Sequence, residues 1–276
     1  MNRAALILAG GAGTRLRPLS SDENPKQFLR IFDGQSLLQK TFARIACMVP
    51  VDAIYISTND EYRDQCREHV PQLPDTNILT EPARRNNAPA IALCCFEIER
   101  RHGEMVVAAL PSDHFIGNEN EFRRVLERAY DFAARSEYFV TIGIEPTAPE
   151  TAYGYLKLDG EIEPGVIRLQ RFTEKPSLDV AKQFLRAGNY AWNAGIFIWR
   201  TSVFRQELEK AAPVIAAVTR QNYESMPNLS IDYALMEKAS RVAAIRGDFG
   251  WSDVGSFDAL KRVGIDVDAL LRETSS

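Results

Sequence analysis

The stretch LILAGGAGTRLRPLS, from Leu6 to Ser20, decides the fold class, and PKQF follows it from Pro25 to Phe28. An apolar segment runs directly into a glycine-rich loop, which Arg15, Arg17 and Lys26 supply with positive charge. Glycines let the backbone come close to a phosphate, and the cations balance its charge. The pattern therefore predicts a nucleotide-phosphate site at the carboxyl end of the first strand of an open α/β sheet.

The loop matches neither of the two common glycine signatures. A Walker A loop would end in Gly-Lys-Ser/Thr, but Gly13 is followed by Thr14 and Arg15. A dinucleotide fingerprint would have glycine where Leu16 stands, which disfavours a dinucleotide-dependent dehydrogenase. Gly11 and Gly13 alone fit a plain tight turn equally well, and the nearby cations are what favour phosphate binding.

Length and composition indicate a globular protein. The chain has 276 residues, of which 45% are hydrophobic and 25% charged, and its net charge is −4. Without a basic tail or stripe, nucleic acid is not an expected partner. No apolar run reaches membrane-spanning length, and the chain opens with a strand rather than a signal peptide, so we expect no membrane association and a cytoplasmic location. The four cysteines form no C-x-x-C pair, which predicts neither a zinc site nor a disulfide framework.

Strands and helices alternate in the first half, which predicts a mostly parallel sheet flanked by helices. The predicted strands are Ala5–Ala9, Ala53–Ser57, Asn77–Leu79, Val106–Leu110 and Phe139–Ile144. The predicted helices are Ser36–Cys47, Tyr62–Val70, Ala88–Arg101 and Glu119–Arg135.

In the second half, apolar and polar residues alternate as in strands with one exposed face. This pattern predicts a partly antiparallel subregion joined to the same sheet. Its predicted strands are Tyr153–Leu158, Val166–Thr173 and Gly195–Arg200. Its predicted helices are Leu178–Ala187, Ser202–Ala211 and Val214–Tyr223. No linker divides the chain, so we expect one domain over residues 1–276, with halves at 1–150 and 151–265.

Two carboxylates are candidate metal ligands. Asp113 follows the buried strand in ALPSDHF, and Asp253 lies in the glycine-flanked turn GWSDVGSF. Mg²⁺ takes one or two protein carboxylates and completes its shell with phosphate oxygens and water, so this pair suits it if the fold brings them together. For either residue alone, a capping role is the better interpretation.

Three further motifs carry polar groups suited to a ligand. Glu174 and Lys175 in FTEKP could meet sugar hydroxyls and a phosphate, or form a surface ion pair. Asn193 and Gly195 in YAWNAGIF place an amide at a close backbone approach, or form a turn into a strand. The polar cluster that could read a base comprises Glu81, Arg84, Arg85, Asn86 and Asn87. No motif supplies a catalytic Ser-His or metalloprotease site, which favours a reaction that needs no general base, such as attack by an ionised phosphate oxygen on an α-phosphorus.

Taken together, these motifs resemble the sugar-nucleotide pyrophosphorylases, the nucleotidyltransferases that activate sugar 1-phosphates. The segments that carry the resemblance, in the family's order, are LILAGGAGTRL, PKQF, EPARRNNAPAIAL, LPSDHFI, YGYL, FTEKP, WNAGIF, SIDYALMEK and GWSDVGSFDAL. The resemblance implies a Rossmann-like, GT-A-like nucleotidyltransferase fold with a nucleotide-binding first half and a sugar-binding second half. It is strongest to members that use GTP and mannose 1-phosphate to make GDP-mannose and pyrophosphate.

The resemblance also assigns residues. The catalytic residues would be Arg15, Lys26, Asp113 and Asp253, and the last two would hold Mg²⁺. The nucleotide would be bound by Leu8, Ala9, Gly10, Gly11, Gly13, Thr14, Arg15, Arg85, Asn86, Asn87, Ala88, Pro111, Ser112 and Asp113. The sugar phosphate would be bound by Gly154, Glu174, Lys175, Asn193, Gly195 and Asp232.

The chain departs from the family pattern at three points. Arg17 stands where the family has tryptophan, Asn87 stands where it has threonine, and the family's C-terminal β-helix region is expected to be absent. A homodimer is left open. Two alternatives also stay open: the same chemistry on another sugar 1-phosphate, such as a manno-heptose, or another nucleotide, and a non-catalytic nucleotide-sugar sensor.

Overall fold

The apolar segment before the glycine loop forms strand β1, Arg3–Leu8, within a nine-stranded sheet. A computed structural model describes residues 1–11 and 13–273 of the chain. The strands are β1, β2 (Ile54–Asn59), β3 (Ile78–Glu81), β4 (Val106–Pro111), β5 (Phe115–Ile116), β6 (Phe139–Ile144), β7 (Tyr155–Glu163), β8 (Val166–Thr173), β9 (Tyr190–Arg200), β10 (Val242–Gly247) and β11 (Trp251–Ser252).

Nine α-helices lie in the described part of the chain, and most of them flank the sheet, whereas α8 and α9 pack into a smaller core beside the glycine loop. They are α1 (Leu37–Ala46), α2 (Arg63–His69), α3 (Asn87–His102), α4 (Glu119–Arg135), α5 (Leu178–Ala187), α6 (Thr201–Ala211), α7 (Pro213–Ala216), α8 (Phe257–Arg262) and α9 (Val267–Glu273). None of these helices has the length and apolar character needed to cross a membrane.

The sheet has the mixed topology that the sequence predicts. Its strand order is β3-β2-β1-β4-β9-β6-β10-β8-β7, and the first four strands are parallel. Strand β9 then runs antiparallel to both β4 and β6, and β7 and β8 form an antiparallel pair. Both halves of the chain contribute strands to this one sheet and side chains to one large apolar core. The predicted α/β fold class is therefore confirmed.

The differences between prediction and structure include one helix, one strand boundary and one additional strand. The predicted helix over 214–223 is wrong beyond α7, because Asn222 bonds the backbone that a helix would pair. Its Oδ1 accepts from the Thr219 N–H at 2.7 Å, and its Nδ2 donates to the Ala217 carbonyl at 2.9 Å. Strand β9 starts at Tyr190 rather than at Gly195. Strand β10 was not predicted, because its six residues, VAAIRG, include two alanines and a glycine, which are depleted in strands.

A second, smaller core fixes the loops around the glycine-rich turn. Leu16 and Leu19, which follow the loop, pack with Val254 and Leu260 from the far end of the chain. Val254 is fully buried although its φ is 39°, a conformation that costs a β-branched residue about 1–3 kcal/mol. Burying the valine contributes a similar amount, about 1.5–3 kcal/mol, so packing can hold the chain in this shape beside Asp253.

Candidate active site

The site lies at one edge of the sheet, where three strands bring their ends together. The parallel strands β1 and β4 both have their carboxyl ends there, and these continue into the glycine loop and into Ser112 and Asp113. Strand β9 runs the other way, and its pairing of Phe197 with Ala109 of β4 brings the preceding residues Asn193 and Gly195 to the same edge. Topology alone therefore gathers residues that are up to about 180 positions apart in the sequence.

Lys26 lies at the centre of the site and joins its two carboxylate-bearing segments. Its Nζ is 2.8 Å from Oδ2 of Asp113, and it also donates to the backbone carbonyl of Asp253. The Lys26 side chain is only 7% exposed. Gly13 lies against it at φ 61°, where a Cβ would come within 2.6 Å of the Lys26 Cβ, so glycine is required at this point of the loop.

Asp253 is held by several neighbours through Oδ1, whereas its Oδ2 accepts no hydrogen bond within the described part of the chain. Its Oδ1 accepts from the Tyr153 hydroxyl at 2.9 Å and from the Gly255 N–H at 3.1 Å. Its Oδ2 is 3.9 Å from the Arg15 guanidinium, whose side chain is 67% exposed. Arg15 is therefore near the carboxylate and also free to meet an anion.

The two groups after β4 have perturbed acidity. Burial pushes the pKa of Asp113 upward, but the charge of Lys26 and the hydrogen bond that Lys26 donates outweigh it, so the net pKa is lowered. Asp113 therefore stays ionised. Burial lowers the pKa of His114 to about 4, against the opposing effect of Asp113. His114 is therefore neutral at pH 7.

The carboxylate pair suits Mg²⁺ better than a metal that needs an all-protein cage. In the described residues, no group of three or more His, Cys, Asp or Glu side chains is placed to hold a metal ion. Lys26 ties Asp113 and the Asp253 backbone together, and each carboxylate keeps acceptor capacity. Mg²⁺ requires little more from a protein, because phosphates and water complete its shell.

A first cavity of about 330 Å³ opens beside the glycine loop. Its lining residues are Leu8, Gly10, Gly11, Gln27, Ser57, Asn59, Glu81, Arg84, Asn86, Asn87, Ala90, Pro111, Ser112 and Asp113. The backbone at Asn86 has φ 62° and ψ −175°, a region largely confined to glycine, and its side chain accepts from the Asn87 N–H at the start of α3. Strain of this kind concentrates at functional sites.

Glu81 and Asn59 place buried acceptors in this first cavity. Glu81 is 9% exposed, and burial raises its pKa to about 7. The Tyr223 hydroxyl donates to Oε2, while Oε1 faces the loop, because a Cβ on Gly10 would lie 2.9 Å from it. The Asn59 amide nitrogen donates to the Gly10 carbonyl at 2.9 Å, but its buried Oδ1 has no partner in the described structure. The cavity therefore presents acceptors to a ligand that carries donors.

A second cavity of about 190 Å³ adjoins the first, and Leu8, Asn87 and Pro111 line both. The other residues that line it are His114, Ala152, Tyr153, Gly154, Glu174, Asn193, Ala194, Gly195, Phe197, Asp232, Trp251 and Asp253. This set mixes carboxylates, amides and aromatic rings, a combination suited to a polyol that also carries a charged group.

The Asn193 amide in this second cavity has a fixed orientation. Its Oδ1 lies 2.9 Å from the buried Thr141 hydroxyl and accepts from the Gly195 N–H at 3.1 Å, so its Nδ2 points toward Asp232 at 3.4 Å. Burial and the nearby Glu174 raise the pKa of Asp232 to about 6. The carboxylates of Glu174 and Asp232 thus repel each other in this cavity. Hydrogen bonds from the hydroxyl groups of a ligand would stabilise both of them.

Most of the residues that the sequence assigns to the site come together here. Those that line neither cavity are Ala9, Gly13, Thr14, Arg15, Lys26, Arg85, Ala88 and Lys175. Lys26 and Arg15 contact the Asp113–Asp253 pair instead. Arg85 is engaged with the Glu224 carbonyl at 2.9 Å, and the neighbouring Arg84 lines the cavity. Arg17 pairs with Asp22 and lies outside both cavities.

Several lining residues were not identified from the sequence. Ser57 and Asn59 end strand β2, so the rule that ligands meet the carboxyl ends of parallel strands could have found them. Gln27 lies inside the PKQF motif, and its amide donates to the Ala9 carbonyl at 2.9 Å, which fixes the loop. Trp251 and Tyr153 lie within quoted motifs, but no periodic signal distinguishes them from core aromatics.

The family model described as Nucleotidyl transferase matches residues 4–268. The chain belongs to this nucleotidyl transferase family. The resemblance found in the sequence is thereby confirmed. Among curated relatives, this chain is 40% identical over 274 residues to the xanthan biosynthesis protein XanB of Xanthomonas campestris. The match covers 92% of this chain and 58% of the relative. The chain is 38% identical to a mannose-1-phosphate guanylyltransferase of Sinorhizobium fredii, covering 92% of this chain and 53% of that protein.

A solved structure supports the assignment of the chain to the nucleotidyl transferase family. A Thermus thermophilus structure described as a mannose-1-phosphate geranyltransferase superposes with a TM-score of 0.87 at 34% identity, covering 95% of this chain and 79% of that one. The chain spans just over half the length of the curated relatives it matches.

Proposed function

We propose that this protein transfers GMP from GTP to α-D-mannose 1-phosphate, giving GDP-mannose and pyrophosphate. The observation that carries the proposal is the pair of adjoining cavities on either side of Asp113, Asp253 and Lys26. One cavity suits a base with donors and the other suits a polyol. A phosphate chain linking base and sugar would pass the cluster of cations and carboxylates between them.

The acceptors of the first cavity support guanine as the base. Guanine has two adjacent donors, N1–H and the N2 amino group, whereas uracil and thymine offer one donor between two acceptors. The Glu81 carboxylate can accept from both guanine donors, and the unpartnered Asn59 Oδ1 adds another buried acceptor. Asn87 does not interfere with binding of the base, because its Oδ1 already accepts a hydrogen bond from the Ile231 N–H at 2.7 Å.

The second cavity supports a sugar phosphate as the acceptor substrate. Glu174 and Asp232 accept hydrogen bonds from hydroxyl groups, and the oriented Asn193 amide donates. Several relatives, among them those from Sinorhizobium fredii and Escherichia coli, are named mannose-1-phosphate guanylyltransferase, which supports mannose as the sugar.

Asp113 and Asp253 would hold Mg²⁺. When bound, the ion supplies charge neutralisation to phosphate oxygens. The chain's own cations act beside it: Lys26 fixes the distance between the two acidic segments, and exposed Arg15 offers its guanidinium to the triphosphate.

The transfer itself needs positioning rather than a proton acceptor. An ionised oxygen of the sugar phosphate forms a new bond to the α-phosphorus of GTP, and the bond from that phosphorus to the leaving pyrophosphate breaks. The protein's part is to hold the two substrates in adjoining cavities so that the attacking oxygen and the α-phosphorus meet in line. The glycine loop and Arg15 then stabilise the charge on the departing phosphates.

A substrate panel scored by pyrophosphate release tests the proposal. GTP, UTP, dTTP and ATP are each combined with mannose 1-phosphate, glucose 1-phosphate and a manno-heptose 1-phosphate. We expect the highest kcat/KM for GTP with mannose 1-phosphate. If another pair is preferred, the chemistry stands and the substrate assignment is wrong. Binding of GDP-mannose without turnover of any pair would instead establish a sensor.

A further inference from the structure

Trp251 and His114 form a hydrogen-bonded pair at the wall of the second cavity. The indole Nε1–H lies 3.1 Å from Nδ1 of His114, and the two rings meet edge to face with centroids 5.4 Å apart. An indole nitrogen can only donate, so Nδ1 must accept with its lone pair. A neutral imidazole with an accepting Nδ1 carries its proton on Nε2. Trp251 therefore selects the Nε2–H tautomer of His114.

A two-stranded sheet keeps this pair in place. Strands β5 and β11 are antiparallel, with Trp251 opposite Ile116 and Ser252 opposite Phe115. The pairing fixes the segment that carries Asp113 and His114 beside the segment that carries Trp251 and Asp253. The tautomer and the carboxylate pair are thus positioned by one structural element.

The Nε2–H of His114 is available to a ligand. His114 lines the second cavity, and within the described residues no group accepts a hydrogen bond from Nε2, nor is that atom buried without a partner. Donors are scarce in this cavity, because Glu174, Asp232 and Asp253 are acceptors and the Tyr153 hydroxyl is used by Asp253. The Trp251 indole N–H is used by His114, which leaves the amides of Asn87 and Asn193 as the other side-chain donors among the described residues that line it.

The position of His114 indicates which part of the ligand it meets. It directly follows Asp113, which lines the nucleotide cavity. Its ring also lies near Pro111, which lines both cavities, because a Cβ on Gly195 would come within 3.7 Å of Pro111 Cγ and 3.8 Å of His114 Cε1. Glu174 and Asp232 line only the second cavity. The phosphate of a sugar 1-phosphate must lie at the Asp113 end, because its oxygen attacks the α-phosphorus. We propose that the Nε2–H of His114 donates a hydrogen bond to the phosphate of the sugar 1-phosphate, and that Trp251 is the residue that positions it. This inference rests on the proposed function.

Two substitutions of His114 distinguish the role of Nδ1 from the role of Nε2. In His114→Asn, the amide lies where Nδ1 was and can still accept from Trp251, but the Nε2 donor is lost. In His114→Gln, the amide nitrogen reaches the Nε2 position and restores the donor. We expect His114→Asn to raise KM for mannose 1-phosphate roughly 10- to 100-fold, since a hydrogen bond to a charged group is lost, with KM for GTP within about 2-fold. His114→Gln should recover most of this loss.

Trp251→Phe and His102→Asn complete the set of variants. Trp251→Phe removes the indole N–H and should raise the same KM by a smaller factor. His102 is an exposed histidine that contacts Tyr55 outside both cavities, so His102→Asn is the matched control and should leave both KM values unchanged. Thermal unfolding of each variant identifies any that fails to fold.

Nitrogen-15 NMR of the histidine side chains tests the inference independently of turnover. The free protein should show His114 as the Nε2–H tautomer, and Trp251→Phe should weaken that preference. Mannose 1-phosphate and inorganic phosphate should both shift the Nε2 resonance, and methyl α-mannoside should not.

Three results would overturn the inference: an Nδ1–H tautomer, an equal shift with methyl α-mannoside, or an unchanged KM in His114→Asn. The inorganic phosphate measurement does not depend on the sugar or on turnover. A wild-type enzyme that fails the substrate panel, yet shows the phosphate shift, would therefore refute the proposed substrates and leave the His114 contact intact.

Discussion

Glu81→Gln should change how the enzyme distinguishes guanine from related bases. In the proposed complex with GTP, the carboxylate offers acceptors to both N1–H and the N2 amino group of guanine, whereas the amide offers one acceptor and turns an N–H toward the other donor. The variant therefore loses at least one charge-assisted hydrogen bond in a site that is 9% exposed, a loss of about 1.5–3 kcal/mol. This corresponds to a decrease of roughly 10- to 150-fold in kcat/KM for GTP.

Inosine triphosphate, which lacks only the N2 amino group, makes this prediction specific. The wild type should prefer GTP to inosine triphosphate by roughly tenfold or more, and Glu81→Gln should bring the ratio close to one. Both are measured by pyrophosphate release at pH 8.5, where the carboxyl group is ionised. Tyr223→Phe is the matched control, because it removes the hydrogen bond to Oε2 but keeps the carboxylate. An unchanged GTP preference in Glu81→Gln would refute the assignment of Glu81 to the base.

The raised pKa of Glu81 adds a pH dependence to the same experiment. Because the free-enzyme pKa is about 7, the carboxyl group is progressively protonated below that pH and loses acceptor capacity. KM for GTP in the wild type should rise as the pH falls from 8 to 6, approaching tenfold per pH unit below the pKa. Glu81→Gln has no proton to gain at this position and should show a flatter profile.

Three other substitutions test separate parts of the site. Asp253→Asn should lower kcat by roughly 100-fold or more by weakening Mg²⁺ binding, with an unchanged circular dichroism spectrum; near-normal turnover would contradict the metal assignment. Asp232→Asn should raise Tm by a few degrees at pH 8 but not at pH 4, and raise KM for mannose 1-phosphate. A carboxyl whose pKa is raised from 3.8 to about 6 loses folding stability as pH rises through that window, so an equal Tm gain at both pH values would contradict this reasoning. Arg17→Ala should leave KM for GTP within about twofold, because Arg17 pairs with Asp22 outside both cavities; a larger change would show that Arg17 reaches the nucleotide.

The sequence predicts well those features that depend on local pattern. Helix α4 has the bounds that its apolar periodicity predicts, and β1 and β4 follow from buried runs that end in loop residues. The rule for the carboxyl ends of parallel strands then locates Gly10 and Asp113 at one edge. These inferences need only a few neighbouring residues.

Features that depend on contacts between distant segments could not be predicted from the sequence. Arg84 and Arg85 are adjacent and chemically identical, and only the distant Glu224 carbonyl determines that Arg85 is held away from the cavity. The orientation of the Asn193 amide likewise depends on Thr141, which lies 52 positions away. Neither contact leaves a periodic or compositional signal in the chain.

The contacts of Lys26 also depend on tertiary structure and could not be predicted from its position in the sequence. A lysine after a glycine-rich loop predicts a direct phosphate contact, but in the structure its ammonium joins Asp113 to the backbone of Asp253. Its charge therefore compensates the acidic residues before any ligand binds. This use of a cation depends on which segments the fold brings to it.

The wall shared by the two cavities has a consequence for inhibition. Leu8, Asn87 and Pro111 line both cavities, so the two cavities are close enough to be reached by a single molecule. Tethering a guanosine group to a mannose group through a phosphate mimic converts the second binding event into an intramolecular one, with an effective concentration on the order of millimolar for a short linker. A bisubstrate compound of this kind should outcompete either fragment alone by a factor set mainly by linker length.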